Sequence, residues 1–233
     1  MNSATYLRRR GQLETYFDRT AADAWARLTS TAKVSRIRET VRMGRDRMRQ
    51  TLLDGLPSDM TGQRVLDAGC GTGALSVAAA RRGAVVVAID LSPTLIKLAE
   101  ERLPNLLDSG RIEFRVGDML DPALGEFDHI VAMDSLIHYR ADDMVDAIET
   151  LAARGHGSLQ ITFAPKSPLL SLMHNVGKLF PRGDRAPAIE PVSEQTLRRL
   201  IAARTSLKDW RIDASDRIKS GFYTSQTLKL VRR

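Results

Sequence analysis

The run Val65-Leu66-Asp67-Ala68-Gly69-Cys70-Gly71-Thr72-Gly73 limits what this chain can fold into more than any other segment. It joins a short apolar stretch to a helix-forming one and places three glycines at alternate positions. Such spacing allows a sharp turn and lets a ligand approach backbone where any Cβ would collide. From Arg64 onward short apolar, β-branched runs (RVLDA, VVVAID) alternate with helical stretches (LSVAAARR, SPTLIKLAEERL). That alternation predicts βαβ units and a parallel sheet. Further strands are expected at Ile112 to Val116, Phe127 to Met133 and Gly157 to Phe163, with a helix from Asp142 to Ala153.

Two segments stand apart from this rhythm. Before it, residues 12–29 set Leu13, Tyr16, Phe17, Trp25 and Leu28 at helical spacing, and Val34 to Leu56 repeat the pattern with arginines on the opposite side before Pro57; both predict amphipathic helices. After the fifth strand, residues 164–192 hold five prolines around an apolar run from Leu169 to Phe180. So long a connection in a compact domain is expected to be a lid or binding insertion. Ser193 opens a last helix through about Ala203, and two strands, 210–218 and 222–231, parted at Gly221, close the chain. The expected organisation is a helical cap over 1–56 and a ligand-binding domain over 57–233 carrying the 164–192 insertion.

Composition narrows the class. With 43% hydrophobic and 27% charged residues the chain reads as globular, and no run approaches the roughly 18 apolar residues of a membrane span. The start, MNSATYLRRRG, lacks the apolar stretch of a secretory signal, so a cytoplasmic location is expected. One cysteine, Cys70, and four scattered histidines give no metal-ligand spacing, and no protein-held metal is expected. Residues 1–56 carry twelve Lys/Arg against six acids, which accounts for +6 of the net +7. A basic segment of this kind suits an anionic partner or a solvated helix face.

Three features in register define the ligand. The GxGxG spacing differs from the GxGxxG of dinucleotide sites, and Asp67, two residues before the first glycine, repels a pyrophosphate but welcomes an amino group. Asp90, ending the second strand with Leu91 after it, is placed to accept hydrogen bonds from a ribose. Gly117-Asp118-Met119 after the third strand offers a carboxylate for an adenine amine and an apolar side chain against the ring. Adenine, ribose and an amino-acid cation together describe S-adenosylmethionine. After the fourth strand, Asp134 is expected at the donor's amino-acid end, His138 at the donor methyl as the residue that orients or deprotonates the acceptor, and Tyr139 as a packing residue at the acceptor wall.

This ordered set of residues, Asp67, Gly69, Gly71, Gly73, Asp90, Asp118 and Met119, resembles the class I methyltransferases. The resemblance implies an α/β fold with a seven-stranded, mostly parallel sheet, helices on both faces and an antiparallel last strand. Tyr16-Phe17 followed by Trp25, VLDAGCGTG, Leu136-Ile137-His138-Tyr139, Thr162-Phe163-Ala164-Pro165-Lys166, Gly177-Lys178-Leu179-Phe180-Pro181 and Ser220-Gly221-Phe222-Tyr223 resemble, in order and spacing, the magnesium-protoporphyrin IX O-methyltransferases of chlorophyll and bacteriochlorophyll synthesis. Asp184-Arg185-Ala186-Pro187-Ala188-Ile189 looks like that family's bacterial branch.

The family resemblance implies methyl transfer to a propionate carboxylate, with magnesium arriving only inside the porphyrin substrate. It also implies handover from the large subunit of magnesium chelatase and work beside a photosynthetic membrane. Tyr16, Phe17 and Trp25 are candidates to wall the macrocycle, and Arg27, Lys166, Lys178, Arg182 and Arg185 to meet its propionates. Plant and cyanobacterial members often carry a tyrosine in an RIYG-like run shortly after the Trp25 position. This chain reads Arg27-Leu28-Thr29-Ser30 there, so His138 is carried over and Thr29 is not. The competing readings are a methyltransferase for a quinone precursor and a catalytically inert porphyrin carrier; a carrier has no use for an intact donor loop. A nucleic-acid substrate is disfavoured, since the chain has no Asn-Pro-Pro-aromatic tetrapeptide.

Overall fold

The computed structural model describes residues 3–20, 35–104, 109–166 and 188–233. Strands β1 (Arg64–Ala68), β2 (Val85–Asp90), β3 (Arg111–Val116), β4 (Phe127–Ala132), β5 (Gly155–Phe163), β6 (Trp210–Ala214), β7 (Arg217–Ser220) and β8 (Tyr223–Arg232) form one sheet in the order β3-β2-β1-β4-β5-β8-β6, with β7 also paired to β8. The first five are parallel, and β8 runs antiparallel to β5 and β6.

The tail differs from expectation in one respect. The predicted strand over 210–218 is two strands, broken at Ser215-Asp216, because Thr227 of β8 captures the break: its amide donates to the Asp216 carbonyl at 2.8 Å and its hydroxyl accepts from the Asp216 amide at 2.9 Å. β6 and β7 share the outer edge of β8, so eight strands fill the seven expected ranks.

Alternate residues of the central strands feed opposite cores. Leu66, Val87, Ile89 and Ile130 face one side, and Val65, Val86, Ala88 and Val131 the other. This two-sided burial is why the strands read as continuous apolar runs. Helices α1 (Ala4–Thr15), α5 (Ala141–Ala152) and α6 (Glu194–Ala202) cover the first face. Helices α2 (Arg36–Asp54) and α3 (Ala74–Ala80) cover the second, and α4 (Pro93–Glu101) packs on β2 and β3. Among the described residues no helix is long and apolar enough to cross a membrane.

The leading helix begins eight residues before its expected start. The Ser3 hydroxyl accepts from the Tyr6 amide at 3.0 Å and caps it, Ser3 and Thr5 hold Asp143 of α5, and Tyr6 and Leu13, seven apart, are the buried face. Of the Arg8-Arg9-Arg10 run, Arg8 is exposed, while Arg9 pairs with Glu190 and Arg10 with Asp118, each at 3.0 Å. A π-helical turn follows over Tyr16–Thr20. The remainder of the expected 12–29 helix, with Trp25, Arg27 and Thr29, lies outside the described residues.

Helix α2 seats against the β7–β8 hairpin through Gly44. A Cβ there would stand 2.5 Å from Tyr223 Cδ1 and 2.9 Å from Cγ, contacts too close to the ring's root for a small rotation to relieve. Gly44→Val is expected to cost about 2 kcal/mol of stability by overpacking, read as a lower urea midpoint at unchanged slope. A variant as stable as the parent would show that α2 can move away from Tyr223 without loss.

Candidate functional site

The carboxyl ends of β1, β2 and β4 meet where the sheet order reverses, the position at which open α/β sheets bind ligands. There the strand ends, α1 and α2 enclose a cavity of about 570 Å³. Its floor is the glycine loop. Gly69 and Gly71 stand at φ +84° and +54°, and a Cβ on Gly69 would lie 2.4 Å from that of Ser135. Gly73, at φ +75°, lies outside the lining; a side chain there would press on Phe114 and Ala99, so this glycine serves the packing of α3 on the sheet.

Asp67 and Asp90 sit beneath that loop and line the cavity. Asp67 is fully buried, accepts from the Ser76 hydroxyl at 2.5 Å, and burial pushes its carboxyl up to about 6. Asp90 is raised for the same reason, although the amides of Gly71 (2.9 Å) and Ser92 (3.0 Å) donate to its two oxygens. Those amides, with that of Leu91, favour the ionised carboxylate, which can still accept from a ligand hydroxyl. Leu91, Met119 and Asp118 complete this side.

Asp118 has partners the sequence did not foretell. The Tyr6 hydroxyl donates to Oδ1 at 2.8 Å and Arg10 Nη1 to Oδ2 at 3.0 Å, while the Leu120 amide reaches Oδ1 at 2.9 Å. The first helix is thus bolted to the end of the third strand. Tyr6 stacks on Tyr139 with ring centroids 4.7 Å apart, and burial raises both phenols. Tyr139 therefore lines the cavity as part of a packed aromatic pair.

Asp134 is the centre of a second network. Its backbone stands at φ +53°, its carboxylate accepts from Arg45 Nη1 at 2.6 Å and from Tyr223, Ser225 and Thr162 hydroxyls at 3.1–3.2 Å, and its amide donates to Thr162 Oγ1 at 2.7 Å. These contacts over-determine a turn an aspartate rarely adopts. They aim the following 3₁₀ turn, Leu136–His138, into the cavity.

His138 is buried in the lining, edge-on to Phe17 with centroids 5.9 Å apart. Its Nδ1 meets the Ala188 carbonyl at 3.4 Å. A carbonyl only accepts, so Nδ1 carries a proton in this contact. The Glu190 amide also donates to the Ile137 carbonyl at 2.9 Å, so the returning end of the 164–192 segment clamps the histidine turn.

Of the expected acceptor residues, Phe17 reaches the cavity, and Tyr16 stands behind it, edge-on at 5.2 Å. Lys166 is exposed and borders a smaller polar cleft with Arg140, Glu190 and Thr196. Lys178, Arg182 and Arg185 lie outside the described residues. Tyr6, Leu13, Arg42, Arg45 and Arg49 line the cavity without having been singled out. The last three are spaced i, i+3, i+7 and belong to the basic segment expected to meet either an anionic partner or solvent.

The glycine cradle open to backbone approach and two acids raised by burial fit a cationic, nucleoside-bearing donor. The comparisons with known proteins agree. A family model described as "Methyltransferase domain" matches residues 65–154, and one described as "Magnesium-protoporphyrin IX methyltransferase C-terminus" matches 132–232. The chain is 50% identical over 225 residues, 96% of its own length and 97% of the relative's, to the magnesium-protoporphyrin O-methyltransferase of Rhodobacter capsulatus. It is 30% identical to the chloroplastic magnesium protoporphyrin IX methyltransferase of Arabidopsis thaliana, over 93% of this chain and 69% of that one. The crystal structure of magnesium protoporphyrin IX methyltransferase from Synechocystis PCC 6803 with bound SAH superposes with a TM-score of 0.81 at 26% identity, covering 96% of this chain and all of the other. A class I methyltransferase fold, half-identity along nearly the whole length and a matching carboxyl-terminal signature converge on one assignment: this chain belongs to the magnesium-protoporphyrin O-methyltransferase family.

Proposed function

We propose that this chain esterifies one propionate of magnesium protoporphyrin IX with the methyl group of S-adenosylmethionine, releasing S-adenosylhomocysteine, and that His138 orients the acceptor at the donor. The observation that carries the reading is the placement of a buried, clamped histidine in the same cavity as the glycine cradle and its acids. When bound, the donor supplies an electrophilic methyl on a sulfonium. A propionate is ionised at neutral pH and needs no base, so the chain's task is alignment and exclusion of water, where effective molarities on the order of 10⁵–10⁸ M are attainable.

Asp67 and Asp90 favour the donor's cationic form, and the Asp90 oxygens hold its ribose. Met119 and Leu91 flank the adenine, whose amine shares Asp118 with Tyr6. Asp134 fixes the turn carrying His138 and stands toward the donor's amino-acid end. Nε2 of His138 faces the acceptor: without a proton it suits the macrocycle's magnesium, and with one it donates to the reacting carboxylate. Phe17 supplies apolar wall, with Tyr16 and Trp25 as further candidates, and 164–192 acts as the acceptor's lid over a domain spanning 57–233, with 1–56 as its cap. Handover from the large subunit of magnesium chelatase and peripheral contact with a photosynthetic membrane are part of the same reading, supported by the basic charge of residues 1–56.

The test is labelled S-adenosylmethionine with purified protein and four acceptors in parallel: magnesium protoporphyrin IX, metal-free protoporphyrin, a quinone precursor and RNA. Labelled methyl ester on the magnesium porphyrin, with little or none elsewhere, is expected. Label on the quinone precursor alone would overturn the acceptor assignment and leave the donor site standing.

A further inference from the structure

Helix α2 carries Arg38, Arg42, Arg45 and Arg49 at intervals of four, three and four residues, which places them along one flank. That flank lies beside the buried row of Gly44, Met48 and Leu52, and its inner three arginines line the cavity. Arg42 and Arg45 keep less than a fifth of their side-chain surface exposed. The cavity is therefore polarised. Asp67, Asp90 and Asp118 lie at the strand ends, and the wall made by α2 brings three arginines and one acid, Asp46, which pairs with Arg49 at 2.9 Å.

The direction of α2 orders these arginines by depth. The Thr40 carbonyl accepts from Ser220 beside the β7–β8 turn, and the Leu52 carbonyl from Gln160 within β5, so the helix descends from the cavity end of the sheet. Arg45 is fixed at the end of β4 by Asp134, at 2.6 Å. Arg42 stands three residues, about 4.5 Å of helix rise, nearer the start of α2. Among its contacts it meets Glu39, a carboxylate half open to solvent, at 3.4 Å. An arginine largely removed from water beside a ligand cavity is suited to grip a carboxylate with two parallel hydrogen bonds.

We propose that Arg42 is the anchor of a carboxylate subsite on the α2 wall, one turn outside the Arg45–Asp134 pair, and that it holds the acceptor's non-reacting propionate. This rests on the acceptor reading above. The donor's own α-carboxylate is the other source of the same chemistry. Holding one propionate on α2 while the other faces the donor gives the enzyme a geometric reason to stop at a monoester, because the monoester has lost one of the two carboxylates needed for that pose.

The experiment compares the parent with Arg42→Gln and Arg42→Lys. Direct binding of magnesium protoporphyrin IX and of its dimethyl ester is followed by porphyrin fluorescence, S-adenosylhomocysteine binding by calorimetry, and esterification by label. For Arg42→Gln, Kd and KM for the diacid are expected to rise tenfold or more. The kcat should stay within about threefold, S-adenosylhomocysteine binding within twofold, and dimethyl-ester binding unchanged. Arg42→Lys should recover part of the loss. A tenfold loss of S-adenosylhomocysteine binding with diacid binding intact would overturn the propionate assignment and place the donor's carboxylate in the subsite. Indifference of every arm to Arg42 removes the subsite altogether. Absence of porphyrin esterification by the parent would instead sink the acceptor reading, while the two binding arms would still be read for Arg42 on their own.

Discussion

His138→Ala is expected to lower kcat for porphyrin esterification by about 10²-fold, close to 3 kcal/mol of transition-state stabilisation, while the donor Kd changes by less than threefold. The asymmetry follows from where the ring sits. It is held from behind by the Ala188 carbonyl and from the side by Phe17, on a turn whose geometry is set by Asp134, and the donor cradle is built from other elements. Loss of the imidazole takes away a fixed nitrogen at the acceptor and leaves the glycine loop, Asp67 and Asp90 in place. Single-turnover rates with pre-bound donor, together with donor calorimetry, separate the two effects. Turnover equal to the parent would remove His138 from the chemistry, and a parallel loss of donor affinity would mean that the histidine turn supports the cradle.

A second large effect is expected at Asp67, with opposite signs for folding and for binding. Burial raises its carboxyl to about 6, against roughly 4 in an unfolded chain. An acid whose folded value lies above its unfolded value leaves the native state holding the extra proton between those limits. Its stabilising contribution is therefore present at low pH and is lost as pH rises from about 4 through 6, at a cost on the order of 3 kcal/mol at neutral pH. Asp67→Asn keeps an acceptor for Ser76 and removes the buried charge. The free protein should melt several degrees higher at pH 7.5, and the donor Kd should rise at least tenfold, since the attraction for a cation has gone. In the parent, donor affinity should fall as pH drops through about 6, and in the variant this slope should flatten. Parallel pH profiles for the two proteins would show that Asp67 does not sense the donor.

The sheet was legible because its strands obey two strong rules. Residues buried on both faces read as unbroken apolar runs, as in Val85 to Ile89, and the glycine loop marks which strand comes first. Most of the residues expected at the donor line the cavity because they sit at or just after strand ends in fixed order. What the sequence concealed depended on contacts between distant segments. Arg10 reads as one of a basic trio until Asp118, 108 residues away, is brought to it. Asp134 reads as a donor ligand, and nothing local shows that Tyr223, Ser225 and Arg45 also converge on it. The arginines of α2 share a periodicity with its core face but lie a quarter-turn from it, and an amphipathic pattern alone does not say whether such a flank meets water or a cavity. Thr227 broke the expected edge strand through a backbone register that no local propensity records.

The insertion after the fifth strand leaves and rejoins the sheet at a single point. Val192 donates to the Ala164 carbonyl at 3.0 Å and accepts from the Lys166 amide at 3.1 Å, so the chain has closed a ring before it reaches α6. Chain-closure entropy grows only with the logarithm of ring size, about 0.6 kcal/mol for each doubling of length. The sheet register is therefore insulated from how many residues lie inside the ring, and a change in their number costs the fold little. That tolerance ends at Ala188, from which the backbone to Val192 is the brace behind the histidine, so a change of length inside the ring should leave the sheet intact while one within 188–192 should displace the histidine turn.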